Sequence, residues 1–408
     1  MSTITRKILN WKSEIKILLV CALVQFSVLS TFSQTDQNLQ ISLLTCSPGK
    51  EIYSIYGHNA IRIRERGSNF DYVYNYGTFD FNTPGFALKF MRGKLPYRLS
   101  INNYNRFLDE YNYLQRDVTE QVLQTDSISA ARILNFLTEN YKPENREYIY
   151  DFFFDNCATR LRDVINTGWD GKIRWNESKS SGKTFRSIIK EYQKEWPWLD
   201  FGVDLIIGEV ADKKASLREE MFIPDYLMVA IRNCEINKSG MYSPISNVER
   251  NILSFNRNNK TGILSLLWHP ITVFLILLLL ELFILYKSVR NKHFGTNVLK
   301  RYDTLWFLLL GIAGTVMLFM WFGTDHQACG QNWNILWTVP VMPLLAVRYL
   351  SDRMQIWLNY FIRLLIALSI VNSIPGIHFL PQYFHPVVGL IGLITILKLI
   401  RKKNNSHV

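Results

Sequence analysis

Alternating apolar and polar positions mark the first half of the chain. Residues 59–64 (NAIRIR) place Ile61 and Ile63 on one face and Arg62 and Arg64 on the other; residues 71–77 (DYVYNYG) repeat the pattern after a Gly67-Ser68-Asn69 turn. Period-two alternation is the signature of a strand. The two runs predict an antiparallel hairpin with His58 at the head of its first strand. Residues 40–45 (QISLLT) read as a short apolar strand, and 97–101 and 116–123 as two more. Helical spacing appears at 86–91, at 103–113, at 128–141 behind Ser127 as N-cap, and at 183–192. Leu161, Val164 and Ile165 also have helical spacing, with Asp155 or Asn156 as the cap and Gly168 as the stop, which puts Cys157 in the first turn. Residues 201–233 are mixed in pattern, and the Asn-, Arg- and Lys-rich run from Val248 predicts a polar linker.

The last third changes character. Long apolar runs predict about five spans near 265–286, 304–322, 334–349, 356–371 and 384–400. Lys287, Arg290, Lys292, Lys300 and Arg301 lie between the first two, Arg348 and Arg353 between the third and fourth, and Lys398, Arg401, Lys402 and Lys403 at the end of the fifth. The loops 323–333 and 372–383 contain neither Lys nor Arg. The positive-inside rule then sets the C-terminus in the cytoplasm and the soluble part outside. Glu281 inside the first span is either functional or reaching for the interface. At the N-terminus Arg6, Lys7, Lys12 and Lys16 precede an apolar run at 17–29 and small residues at 31–33, the pattern of an export signal; an uncleaved anchor is the alternative. The expected organisation is a signal at 1–33, a periplasmic domain at 35–247, a linker at 248–264, a membrane domain at 265–401 and a cytoplasmic tail at 402–408.

Composition narrows the function. The 408 residues are 48 % hydrophobic and 20 % charged, too apolar for a disordered chain. The net charge of +12 invites nucleic acid, but many cations flank apolar runs and no compact basic stretch interleaved with aromatics occurs, so no nucleic-acid partner is expected. The five cysteines show no CxxC, and the seven histidines no HExxH or zinc spacing with cysteine, so neither metal nor cofactor is expected. A Cys46–Cys234 disulfide is conceivable, and spacing leaves it open.

Cys157 is the sharpest chemical candidate. A helix N-terminus carries partial positive charge and free N–H groups, which lower a thiol pKa and can hold an oxyanion; a buried structural cysteine is the competing reading. His58, the only histidine of the soluble part, is the candidate base. Asn75, on the neighbouring strand, is the candidate to orient the imidazole. Asn156 and Arg160 beside the thiol are candidate substrate contacts. So are Asp325 and His326 in an outer loop, together with Asn332 and Asn334, placed to meet a lipid head group or to close over the sulfur; loop solvation and helix capping are the alternatives.

The order strand-His, strand-polar, helix-Cys resembles a circularly permuted papain-like (NlpC/P60-type) hydrolase, an α+β fold. More closely, YGHNAIRI, YVYNYGTFDF, KFMRGKLPYRLS, NREYIYDFFFDNCATRLRD, FGVDLIIGEVADKKASLREEMFIP and TDHQACGQNWNILWTVP resemble the Lnb family of lipoprotein N-acyltransferases over nearly the whole mature chain. The resemblance implies a papain-like periplasmic domain joined to an all-α membrane bundle. It implies Cys157 as acyl-accepting nucleophile and His58 as its base, a membrane phospholipid as donor and a diacylated lipoprotein as acceptor, in the inner membrane. Asn75 rests on the hairpin alone. A papain-like amidase or peptidase acting on cell-wall peptides, or a non-catalytic membrane receptor, remains the alternative.

Overall fold

The computed structural model describes residues 39–238, 240–255, 266–291, 294–343, 352–377 and 379–405. The expected signal, positions 256–264 of the linker, positions 344–349 of the third span and positions 406–408 of the tail lie outside them.

A seven-stranded antiparallel sheet organises the first part. Its strands are β1 (Leu39–Cys46), β2 (His58–Glu65), β3 (Asp71–Thr78), β4 (Pro96–Asn103), β5 (Val118–Leu123), β6 (Glu147–Ile149) and β10 (Ser246–Leu253), in the order β10-β5-β1-β2-β3-β4-β6. A smaller sheet holds β7 (Ile173–Arg174), β8 (Glu235–Lys238) and β9 (Met241–Pro244). The expected hairpin is β2–β3, registered from Ile61↔Tyr74 to Arg64↔Asp71. Helices α1 (Phe86–Met91), α2 (Tyr104–Tyr113), α3 (Ser127–Tyr141), α4 (Cys157–Gly168), α5 (Phe185–Gln193), α6 (Pro197–Ile206) and α7 (Pro224–Asn233) complete the domain.

Alternation in β2 serves two covered faces. Ile61 and Ile63 join Ile41, Leu43, Leu161 and Ile165 in the core beneath α4. On the other face Ala60 packs with Tyr104, Phe107 and Tyr111 of α2, and Arg62 is buried with its guanidinium 3.3 Å from the centre of the Tyr104 ring, paired with Asp71 and Glu120. The cap of α3 is Asp126, not Ser127: its carboxylate accepts from the Ser129 N–H at 2.7 Å. The run from Val248, which reads as a linker, forms β10 against β5. An edge strand needs only one paired side, so it tolerates the exposed polar side chains that hide it from a periodicity argument. Cys46 and Cys234 are buried free thiols, so the conceivable disulfide is not formed.

Among the described residues four long helices follow: α8 (Pro270–Arg290), α9 (Thr296–Phe322), α10 (Asp352–Asn372) and α11 (Val387–Asn405). Two of them, α8 and α9, are long and apolar enough to cross a membrane, and the apolar stretch of α10, Ile356–Asn372, is shorter. Leu275, Ile276, Leu279, Leu280 and Phe283 of α8 face outward, exposed to whatever surrounds the bundle, which for so apolar a face is lipid. The expected third span is interrupted. A single turn, Ile335–Thr338, is followed by Pro340 and Pro343, which lack the N–H that continues a helix. Glu281 does not reach the interface. It is fully buried and pairs with Lys398 at 2.9 Å and Arg401 at 2.6 Å, while Asp303 of α9 meets the same Lys398 at 3.1 Å. Two cations that read as topology signals therefore neutralise acids and tie α8, α9 and α11 together.

The two parts are bolted to each other through α6. The last carbonyls of a helix have no partner within it. Here the Asn332 amide donates to the Leu205 and Ile206 carbonyls at 2.7 and 2.9 Å, the Asn334 amide to the Asp204 carbonyl at 2.9 Å, and the Gln382 amide to the Ile207 carbonyl at 3.2 Å. Gly208 follows, donating its N–H to the Ala328 carbonyl at 2.8 Å, so close to the membrane loop that a Cβ at this position would lie 1.9 Å from the Gly330 oxygen. Only glycine fits that approach.

Candidate active site

Helix α4 is built to present Cys157. The Asn156 side-chain oxygen accepts the N–H groups of Ala158 and Thr159 at 2.9 and 3.0 Å, and the Thr159 hydroxyl accepts the Asn156 N–H at 2.8 Å, a reciprocal cap. The Asn156 amide nitrogen donates to the carbonyls of Phe152 and Phe222 at 2.7 and 2.9 Å, which locks the turn between two loops. Cys157 is the first residue of the helix, with helical packing against β2, β3, α3 and α7 below it.

His58 arrives from the sheet. Gly57, at φ +83°, turns the chain into β2 where a Cβ would lie 2.9 Å from the Cys46 carbonyl oxygen. The β2–β3 ladder begins at Ile61, beyond His58 and Asn59, and α4 enters at that gap. The N–H groups of Asn59, Ala158 and Cys157 are directed at the Cys157 sulfur and favour its thiolate. A Cβ on Gly77, on the facing strand, would stand 3.6 Å from the Cys157 Cβ. Imidazole Nε2 of His58 and the Asn75 side-chain oxygen are 3.3 Å apart, so Asn75 accepts from Nε2–H and leaves Nδ1 as the ring's basic atom.

The electrostatics of the pair are those of a dry site. Burial is the largest influence on both residues. It pushes the His58 pKa down to about 4, with the nearby Arg116 charge acting in the same direction and the Asn75 hydrogen bond opposing. It pushes the Cys157 thiol up, against the three backbone N–H groups and Arg116. The resting pair is a neutral thiol and a neutral imidazole, not an ion pair. A consequence is measurable: alkylation of Cys157 at neutral pH is expected to be slow and to rise about tenfold per pH unit up to and beyond the ordinary thiol range. Peptide mass spectrometry of iodoacetamide-treated protein reads this directly; a fast rate flat across neutral pH would instead reveal a preformed thiolate.

Cys157 and His58 share a cavity of about 640 Å³. Its walls are aromatic, including Phe79, Phe81, Phe86, Phe90, Tyr97 and Phe152, with Tyr97 stacked on Tyr150 at 4.5 Å. At its mouth Ile52, Tyr53, Phe81 and Phe90 remain exposed. His326 closes one side: its Nε2 lies 3.0 Å from the Phe90 carbonyl, and the Asp325 N–H donates to the Arg92 carbonyl at 3.0 Å. The loop that leaves α9 thus grips α1 at the rim.

The remaining expected contacts divide. Asn156 borders the cavity, but its amide is consumed by the cap. Arg160 does not line the cavity: its guanidinium is paired bidentately with Asp155 at 2.6 and 2.8 Å and lies 3.5 Å from the centre of the Tyr148 ring. Asp325 sits outside the lining, 3.6 Å from Lys94, while His326 belongs to it. Asn332 and Asn334 are buried helix caps for α6, away from the thiol. Asp200, Asp204 and His385 bring three possible ligand atoms within 4.8 Å of one another, yet the Lys190 ammonium stands 2.6 Å from both carboxylates and supplies the positive charge there.

Residues 31–191 match the Lnb N-terminal periplasmic domain, and residues 262–404 match the Lnb transmembrane domain. The chain belongs to the Lnb family. It is therefore a membrane-associated protein of lipoprotein maturation, with a periplasmic part and a transmembrane part. No curated protein and no solved structure matches it. For this Lnb chain, sequence reasoning missed three things: the aromatic walls, the Asn59 N–H and Arg116. The runs TFDF and GFALKF carry more aromatics than a short connection needs, which is the one signal that pointed to the walls. The other two depend on backbone placement and have no local signature.

Proposed function

We propose that the protein is an acyltransferase that moves a fatty acyl chain from a membrane phospholipid to the α-amine of a lipoprotein's N-terminal diacylglyceryl-cysteine. The carrying observation is the cavity itself: a thiol at a helix N-terminus and an Asn-held imidazole lie in one aromatic chamber whose rim is clasped by a loop from the membrane part. In this reading the domain is a permuted papain-like hydrolase fold, with the base strand preceding the nucleophile helix, and it sits on the periplasmic side of a multi-pass inner-membrane bundle.

His58 Nδ1 takes the thiol proton as Cys157 attacks the ester carbonyl. The N–H groups directed at the sulfur are the donors available to the resulting oxyanion. The ester C–O bond breaks, and His58 returns the proton to the departing lysophospholipid hydroxyl. The lipoprotein amine then attacks the thioester and gives its proton to His58. The C–S bond breaks, an amide forms, and the proton goes back to sulfur. Because His58 is weakly basic, proton transfer accompanies attack rather than preceding it. Aromatic walls suit an acyl chain and keep water from the thioester. The exposed apolar rim beside the end of α9 suits a mouth that opens at the lipid surface.

Incubating the full-length protein with phospholipid alone tests the reading. An intact-mass increase of one acyl chain, mapped to Cys157 and discharged by a diacylated lipopeptide, is the expected result; a protein that never carries such an adduct would sink it. Asn75→Ala is expected to lower turnover roughly tenfold to a hundredfold with little change in KM, a part of the about 10²–10⁴ that a positioned base contributes. Equal rates for Asn75→Ala and the parent in a single-turnover assay would remove Asn75 from the mechanism.

A further inference from the structure

Arg116 is the cavity residue that the scheme above leaves without a task. It stands between α2 and β5. Its Nε donates to the Ser47 carbonyl at 2.7 Å, its backbone N–H to the Tyr111 carbonyl at 3.0 Å, and its guanidinium lies 4.9 Å from the centre of the Tyr111 ring. These contacts hold the residue at 7 % exposure. Nη2 is buried and has no hydrogen-bond partner. The side chain lines the same cavity as Cys157 and His58, near enough for its charge to act on both. Among the described residues, the only acid in the cavity lining is Glu110, which is exposed and forms no ion pair with Arg116.

A buried guanidinium N–H left unmade is costly, and its natural complement is an anion. The donor in the proposed reaction carries one. In a glycerophospholipid the phosphodiester lies a few bonds from the ester carbonyl, so a molecule with its carbonyl at the sulfur carries its phosphate in the same part of the cavity. Planar guanidinium groups pair with phosphate oxygens better than ammonium groups do. We propose that Arg116 binds the phosphodiester of the donor lipid and so decides which esters are delivered to Cys157. This rests on the acyl-transfer reading and adds to it a specificity-determining residue.

Two other roles make different predictions. If Arg116 only holds Ser47 and Tyr111, or only supports the thiolate by its charge, its loss slows every ester alike. Phosphate binding makes the loss selective. The test compares phosphatidylglycerol with a diacylglycerol of the same chains, using the full-length protein in detergent and thioester formation on Cys157 as readout. The parent is expected to prefer the phospholipid by at least about tenfold, the effect of one charge-assisted hydrogen bond. In Arg116→Gln that preference collapses, mostly through KM, with the phospholipid rate falling at least about tenfold further than the diacylglycerol rate; Arg116→Lys keeps part of it. Equal slowing of both donors, or a preference that survives in Arg116→Gln, overturns the proposal. A binding measurement separates this outcome from failure of acyl transfer itself. Cys157→Ala protein is expected to bind lysophosphatidylglycerol more tightly than monoacylglycerol, and to do so even if no thioester ever forms on the parent. Displacement of the lysophospholipid by an equal concentration of inorganic phosphate would assign Arg116 to a free anion and overturn the lipid assignment.

Discussion

Cells or vesicles carrying Cys157→Ala in place of the parent protein are expected to accumulate diacylated lipoprotein with a free N-terminal amine. Under the proposed mechanism the loss should be at least about 10³-fold, because removing a covalent nucleophile leaves only binding and oxyanion contacts behind. His58→Ala should lose nearly as much, since nucleophile and base act as a unit and their effects do not add. Both variants should still fold. Cys157 and His58 both line the cavity, and Cys157→Ala removes a single sulfur atom from the core cluster that Cys157 also joins. Mass spectrometry of lipoprotein N-termini decides the matter. Full triacylation in both variants removes the acyltransferase, whereas a build-up of uncut cell-wall peptides would point to the amidase alternative. The pH response carries its own sign. The His58 pKa is depressed to about 4, so the base stays unprotonated, and activity should persist, as pH falls well below the range where an ordinary histidine titrates.

Glu281→Ala is expected to have the largest effect on stability. The carboxylate is fully buried and faces Lys398 and Arg401, themselves almost wholly buried. Removing it leaves two cations to share Asp303, and breaking a buried pair from one side costs about 3–5 kcal/mol. Glu281→Gln keeps the volume and should be milder. Thermal scans of the purified protein in detergent at one fixed heating rate would show the order parent, Gln, Ala. If all three melt together, the network does not hold the bundle.

The sheet was legible wherever side chains alternate. In β2 and β3 the alternation was readable, although one of the expected polar positions, Arg62, proved to be buried with its own acids. Helix α4 was legible from its cap, because Asn156 and the spacing of Leu161, Val164 and Ile165 act within a single turn or two. β10 was not, since an edge strand is specified by its backbone and its partner β5 rather than by its own pattern. The third span looked continuous because hydropathy counts Val339 and Met342 but ignores what Pro340 and Pro343 do to a helix. Of the candidate site, Cys157, His58 and Asn75 were singled out from chemistry and strand order, and the fold brings them together, with Cys157 and His58 in one cavity and Asn75 on the imidazole. Arg160 was misjudged for the opposite reason: proximity in sequence to Cys157 does not say that Asp155 will claim its guanidinium.

The asparagine caps on α6 and the grip of His326 on α1 have an evolutionary corollary. A periplasmic half transplanted onto a foreign anchor would arrive with its last helical carbonyls bare and one flank of its chamber missing. The two halves are therefore not interchangeable parts, and natural recombination should have passed them on as a single inheritance.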